Sequence, residues 1–313
     1  MNDKNRKKKN IILVFLTEFI RIRGVVNWSL ISFVGFILGM SSLGLSSYLV
    51  PLLVFVVSSF CILSFTFAIN NYYDADSDRE NPRRMHINAI ASGRISKQTG
   101  IFLNITFVAS SLVVSILFKL EVFLLCILLL VWMWAYSSPP LRLKGRSGLD
   151  VIWHFFAFFL LIMWGSLIAG SIDIINWLVA ISFGIWSCIA QVWNHIGDYS
   201  FDKESGTVTF AVWVGLDTAK TALKMIIILN TIFLIPLILL YSLSYLYTIV
   251  ILIGGAVFAL VGIKPKKDFP VSPVYYTLFV FAGIVYLSCV IYYLLVLIGE
   301  PAIVLLPFIG FFQ

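Results

Sequence analysis

Nine apolar runs, each near the length needed to cross a bilayer, divide this chain of 313 residues: 26–48, 50–69, 101–118, 122–138, 151–172, 174–193, 225–242, 245–263 and 274–298. Runs of about 18 or more apolar residues with few charges read as membrane-spanning helices. The expected fold class is therefore all-α, a polytopic membrane protein of about nine transmembrane helices. A soluble domain is excluded by composition. Apolar residues make up 60% of the chain and charged residues 12%, against about 45–50% and about 25% in soluble domains. The fourth run is broken early by Ser137-Ser138-Pro139-Pro140, and the apolar tail 301–313 is too short to span and reads as interfacial.

Charge orients the bundle. Residues 1–25, 70–99, 139–149, 195–224 and 264–273 hold 21 of the 22 Lys and Arg residues, and all fall on one side if nine helices alternate. Only Lys119 falls on the other. The positive-inside rule makes the basic face cytoplasmic, with the N-terminus inside and the C-terminus external in the cell membrane. The net charge of +7 is thus a membrane-facing property and not a nucleic-acid footprint, which needs a basic stripe on a soluble domain. The run Lys4 to Lys9 followed by apolar 11–20 resembles a signal peptide. Glu18, Arg21 and Arg23 follow at once, with no small-residue cleavage site, so a juxtamembrane helix on anionic lipid is expected instead. That gives a basic segment 1–24, a transmembrane domain 25–300 and the tail 301–313. Cys61, Cys126, Cys188 and Cys289 each sit alone in an apolar run and read as core.

Against this background, one polar pattern occurs twice: Asn70-x3-Asp74-x3-Asp78 and Asn194-x3-Asp198-x3-Asp202. Each copy follows directly on an apolar run, where a carboxylate is expensive. On a helix, residues four apart share a face, so each copy stacks an amide and two carboxylates, while Asp76 points off that face. Carboxylates near a helix C-terminus are opposed by its dipole and by one another. A hard divalent cation resolves both conflicts, and oxygen donors suit Mg²⁺ above all. Two such ions on four aspartates leave little positive charge for a diphosphate, which brings about three negative charges near neutral pH. Further cations should line the site. Arg94, Arg142 and Lys144 are the candidates, whereas Arg23 and Arg146 are equally explained by the positive-inside rule. His195, beside Asn194, is a candidate contact to diphosphate or acceptor; His154 reads as packed or interfacial.

Together these residues resemble the UbiA family of intramembrane prenyltransferases. The resemblance rests on both aspartate motifs, the Ser92-Gly93-Arg94-Ile95-Ser96 segment, the Tyr136–Lys144 run, the helix count, and Gly206, Thr207 and Gly215 after the second motif. It implies helices around a central cavity that opens laterally to lipid. It implies that Asn70, Asp74, Asp78, Asn194, Asp198 and Asp202 hold Mg²⁺ and diphosphate, with Tyr136, Arg142, Lys144, Arg94 and Lys203 around the substrate. The expected reaction transfers a prenyl group from an allylic prenyl diphosphate to a lipophilic acceptor: a quinone precursor, an isoprenoid glycerol lipid or a carotenoid. A terpene cyclase or a prenyl-phosphate phosphoribosyltransferase would use similar metal sites. A cation transporter is the reading from another class, but it expects acids at mid-membrane rather than at helix ends beside basic residues. One departure from the family pattern stands out. Many members carry Arg-Pro shortly before Ser-Gly, where this chain has Asn88-Ala89. If that arginine holds an acidic acceptor group, this chain should favour an acceptor without a carboxylate.

Overall fold

The computed structural model describes residues 10–40, 45–242 and 271–298. Among these the regular elements are all helical. A short helix α1 (Ile11–Val14) runs into a π-helical turn (Phe15–Phe19). There follow α2 (Ile22–Gly39), α3 (Leu45–Glu80), α4 (Pro82–Met85), α5 (Lys97–Phe118), α6 (Leu120–Ser137), α7 (Leu149–Ala169), α8 (Ile174–Gly197), α9 (Tyr199–Glu204), α10 (Phe210–Val214), α11 (Leu216–Ser242) and α12 (Pro273–Ile298). Seven of them, α2, α3, α5, α6, α7, α8 and α11, are long and apolar enough to cross a membrane. The expected run 245–263 and the tail 301–313 lie outside the described residues.

Helix ends depart from the hydropathy runs for local reasons. The first run, expected over 26–48, is instead α2 ending at Gly39, with residues 45–48 opening α3. Hydropathy averaged over a window does not register the end of α2 at Gly39, because a single glycine lowers the average little. α8 begins at a capping box: the Asp173 carboxylate accepts from the Ile175 and Asn176 backbone N–H groups, and Asn176 returns the bond.

The chain divides into two units. The first comprises Met1–Ile31 and Leu52–Arg142. Here α5 packs along α6, and Gly100 of α5 lies against Ile90 and Phe19. The segment 11–20, expected on the lipid surface, is only partly so. Ile11, Ile12 and Leu13 are exposed, but Val14, Glu18, Phe19 and Ile20 are buried. Phe19 stacks on Phe15, which in turn meets Phe107 of α5. Phe102, Ile105 and Leu117 on the outer face of α5 are exposed, as suits a helix bathed in hydrocarbon.

The second unit comprises Ser32–Pro51 and Leu143–Gln313. Its α2 residues meet α7 almost backbone to backbone. A Cβ on Gly35 would overlap the Ile162 carbonyl, and one on Gly165 would overlap that of Ser32. Without a hydrophobic drive between helices in lipid, close approach at small residues and hydroxyl bonds must hold the pair. Accordingly, Ser32 Oγ donates to the Leu161 carbonyl at 2.7 Å and Ser166 Oγ to the Gly35 carbonyl at 3.0 Å. On the other side of α8, Ile189, Val192 and Ile196 pack with Leu223 and Ile227 of α11 and Tyr276 of α12.

Candidate functional site

α3 is 36 residues long, about 54 Å at 1.5 Å per residue. A hydrocarbon core about 30 Å thick is filled by its apolar part, so the last three turns carry the first aspartate row beyond it. The row is one helical face, as the spacing demands. Asp78 is buried, and the Asp74 side chain retains 15% exposure. Asp76 points off that face and is exposed, pairing with Lys97 at 2.8 Å. Arg142, just past the Pro139-Pro140 turn, reaches Asp74 Oδ1 at 3.3 Å. Asn70 Nδ2 donates to Ser137 Oγ at 3.0 Å. The structure brings Asn70, Asp74, Asp78 and Arg142 together within this unit, with Tyr136 half-buried one residue before Ser137.

A buried polar network that no local sequence pattern encodes lies behind the row. Asn71, fully buried, donates through Nδ2 to the carbonyls of Glu18 and Phe19 at 2.7 and 2.8 Å. Those carbonyls belong to the π-helical turn, a feature that often marks functional sites. Arg21 Nη2 in turn donates to Asn71 Oδ1 at 3.0 Å. Burial pushes the Arg21 guanidinium below its ordinary range, and the nearby charges of Asp78 and then Asp74 pull it back up. Arg21 (φ 52°) and Arg142 (φ 38°) are the non-glycine residues with left-handed backbone among the described residues. Such strain costs on the order of 1–3 kcal/mol and persists where the surroundings enforce it. Both arginines stand by the first row. Nothing in the sequence marked Arg21 beyond a basic segment; the doubled amide Asn70-Asn71 at a membrane boundary was the available signal.

Two expected contacts fall elsewhere. Arg94 is committed to its own loop and the N-terminal turn: Nη1 pairs with Glu18 Oε1 at 2.6 Å, Nη2 donates to the His86 carbonyl at 2.9 Å, and Nε donates to Ser92 Oγ. It braces the loop beside the row. Asn88 is fully buried, so it does not offer an acceptor-binding surface, and the acceptor preference expected from its missing charge loses its structural premise.

In the second unit, α8 ends at Gly197 and Asp198 is its C-cap. The row nevertheless keeps helical pitch through the break, because Asp198 N bonds the Asn194 carbonyl and Asp202 N the Asp198 carbonyl, each at 2.9 Å. Asn194 and Asp198 are exposed and Asp202 is half-buried. Lys203 is exposed, its ammonium 5.8 Å from the Tyr199 ring. Lys144 lies half-buried in a 3-10 turn, Leu143–Gly145. His195 turns away from the row: Nε2 lies 2.9 Å from Asp150 Oδ2, and Gln191 donates to the same oxygen at 3.3 Å.

The residues fit a hard divalent cation. Asp74 and Asp78 stack one turn apart in a largely buried setting, and carboxylate oxygen donors without thiols suit Mg²⁺. Among the described residues, no three His, Cys, Asp or Glu side chains gather into a complete cage. Mg²⁺ held by one or two carboxylates keeps positions for substrate phosphate oxygens and water, so a two-carboxylate row is a sufficient anchor.

Comparison with known proteins accords with this geometry. A profile of the UbiA prenyltransferase family matches residues 29–272. A lycopene elongase/hydratase of Corynebacterium glutamicum is 26% identical over 165 residues, 52% of this chain and 56% of that protein. The match thus spans little more than half the length of that relative. The structure of a UbiA homolog from Archaeoglobus fulgidus bound to DMAPP and Mg²⁺ superposes with a TM-score of 0.64 at 22% identity, covering 91% of this chain and 99% of that one. A structure described for digeranylgeranylglyceryl phosphate synthase gives a TM-score of 0.69 at 19% identity, covering 90% and 98%. At these identities the structural likeness is one of fold.

Proposed function

From the premise that this chain belongs to the UbiA prenyltransferase family, we propose that it transfers a prenyl group from an allylic prenyl diphosphate to a lipophilic acceptor within the membrane, releasing diphosphate. The observation that carries the reading is the stacked pair Asp74 and Asp78, largely buried at the end of α3 with Arg142 at 3.3 Å. Carboxylates placed there together would repel one another unless a cation joined them. Asn70, Asp74, Asp78, Asp198 and Asp202 would hold two Mg²⁺ ions, and Asn194 a diphosphate oxygen. When bound, Mg²⁺ offsets the charge that builds on the leaving diphosphate.

The chain's own residues do the rest. Arg142, Lys144 and Lys203 take up part of the same charge, while Arg21 keeps the row's potential from becoming too negative for an anionic substrate. Tyr136 bounds the headgroup. The allylic C–O bond breaks with its electron pair leaving on the diphosphate. Electrons from the acceptor form the new bond to the allylic carbon, and the acceptor then loses a proton. Apolar and aromatic walls exclude the water that would trap the allylic cation as an alcohol.

The acceptor we favour is a neutral polyene. The named activity of the Corynebacterium glutamicum relative supports that choice, and an uncharged acceptor needs no further basic residue. The test is incubation of the purified protein with Mg²⁺, labelled prenyl diphosphates and a membrane lipid extract, followed by product identification by mass. A prenylated polyene with one diphosphate released per transfer is expected. EDTA, Asp74→Ala and Asp198→Ala should each abolish release, with added Mg²⁺ restoring the chelated wild type. Full turnover in EDTA would overturn the metal reading; a cyclised product with no acceptor consumed would overturn the transfer.

A further inference from the structure

Asn88 sits in the loop between α4 and α5, and its whole amide is spent inside the first unit. Its Oδ1 accepts from the backbone N–H groups of Ile90 and Ala91 at 3.0 and 3.1 Å. Its Nδ2 donates to the Asn71 carbonyl at 3.0 Å and to Asp78 Oδ2 at 2.9 Å. The first three bonds close the loop and tie it to α3. The fourth is different, because its effect falls on a carboxylate of the aspartate row. Among the described residues, Asn88 is the one hydrogen-bond donor to that side chain.

We infer that Asn88 is a positioning residue for divalent-cation binding at the first row, an inference that rests on the metal reading above. A donor on Oδ2 fixes the plane of a carboxylate that would otherwise rotate about its Cβ–Cγ bond, so less freedom is lost when a cation binds. The donor's neutrality matters as much as its position. An amide leaves the Asp78 charge undiminished for the cation, whereas a guanidinium at the same place would form a charge-assisted pair and compete for it. Partners behind a metal ligand commonly set affinity over about 10–100-fold. Position 88 thus tunes how tightly the row holds its ion, without touching substrate.

The test uses the full chain in lipid nanodiscs, without substrate, and reads Mn²⁺ binding by electron paramagnetic resonance. Asn88→Ala and Asn88→Arg should each weaken Mn²⁺ at least tenfold. Ser92→Ala, which removes the Oγ bonds to the Asn88 and Ala89 carbonyls and from Arg94 Nε but not the Asp78 contact, should bind as the wild type does. Diphosphate release by Asn88→Ala should return toward the wild-type rate as Mg²⁺ is raised, which a merely structural defect would not do. If Asn88→Ala fails to fold, Asn88→Ser carries the same test. Unchanged Mn²⁺ affinity in folded Asn88 variants, or equal weakening by Ser92→Ala, overturns the proposal and leaves the metal reading standing. A wild type that binds no Mn²⁺ overturns both.

Discussion

Arg142 shows how much a single residue gives up for its place. Its φ of 38° is one that glycine adopts freely and an arginine adopts at a cost of about 1–2 kcal/mol. Its gain is one half-exposed pairing with Asp74, and pairs of that kind contribute about 0–1 kcal/mol. Stability alone therefore does not explain an arginine here; charge beside the aspartate row does. Arg142→Gly should raise thermal stability slightly while weakening prenyl diphosphate binding roughly tenfold, and Arg142→Ala should weaken binding with no gain in stability. Melting curves in detergent and Michaelis constants measure the two effects separately, and a glycine variant that loses both would contradict the account. Asp74, Asp78 and Arg142 were legible because a spacing of four or a nearby turn declares them. Arg21, Asn71 and Glu18 were not, because the contacts that matter join residues about fifty or more positions apart, and no local pattern encodes them.

Among the elements, hydropathy located the helices well and their ends poorly. The apolar run ends at residue 69, and α3 continues past it to Glu80 as the i, i+4 spacing of the aspartate row implied, since Asn, Asp and Tyr are tolerated in a helix even where they end an apolar run. The close pairing of α2 with α7 had a faint trace in the sequence, Gly35-x3-Gly39, but nothing to say which helix it meets. The structure answers with Ile162, Gly165 and Ser166. Because the obstacle to a Cβ at Gly35 is backbone, no rotamer can relieve it. Gly35→Val should cost on the order of 1–3 kcal/mol, read as earlier unfolding on titration with denaturing detergent. Ile105→Val on the exposed face of α5 should change almost nothing. Equal loss from both would mean that the α2–α7 contact is not what holds this end of the second unit.

For the whole molecule, the distribution of charge makes a claim that individual helices cannot. A chain with an odd number of spans ends on the side opposite its start. Seven described helices qualify as spans by length and composition, and α12, with 26 residues, is long enough at about 39 Å. The parity then rests on 245–263, a run outside the described residues. The basic cluster Lys264, Lys266 and Lys267 follows that run directly, and the positive-inside rule predicts it on the same side as the other four clusters. With the cluster at 195–224 on the same side as 264–267, the positive-inside rule predicts an odd number of spans for the chain. A reporter at the N-terminus should therefore be cytoplasmic and one after Gln313 external. Cysteine labelling with a membrane-impermeant reagent, at positions before residue 10 and after residue 300, distinguishes the outcomes. Labelling of both ends from the same side would overturn the odd number of spans and the orientation that the positive-inside rule assigns.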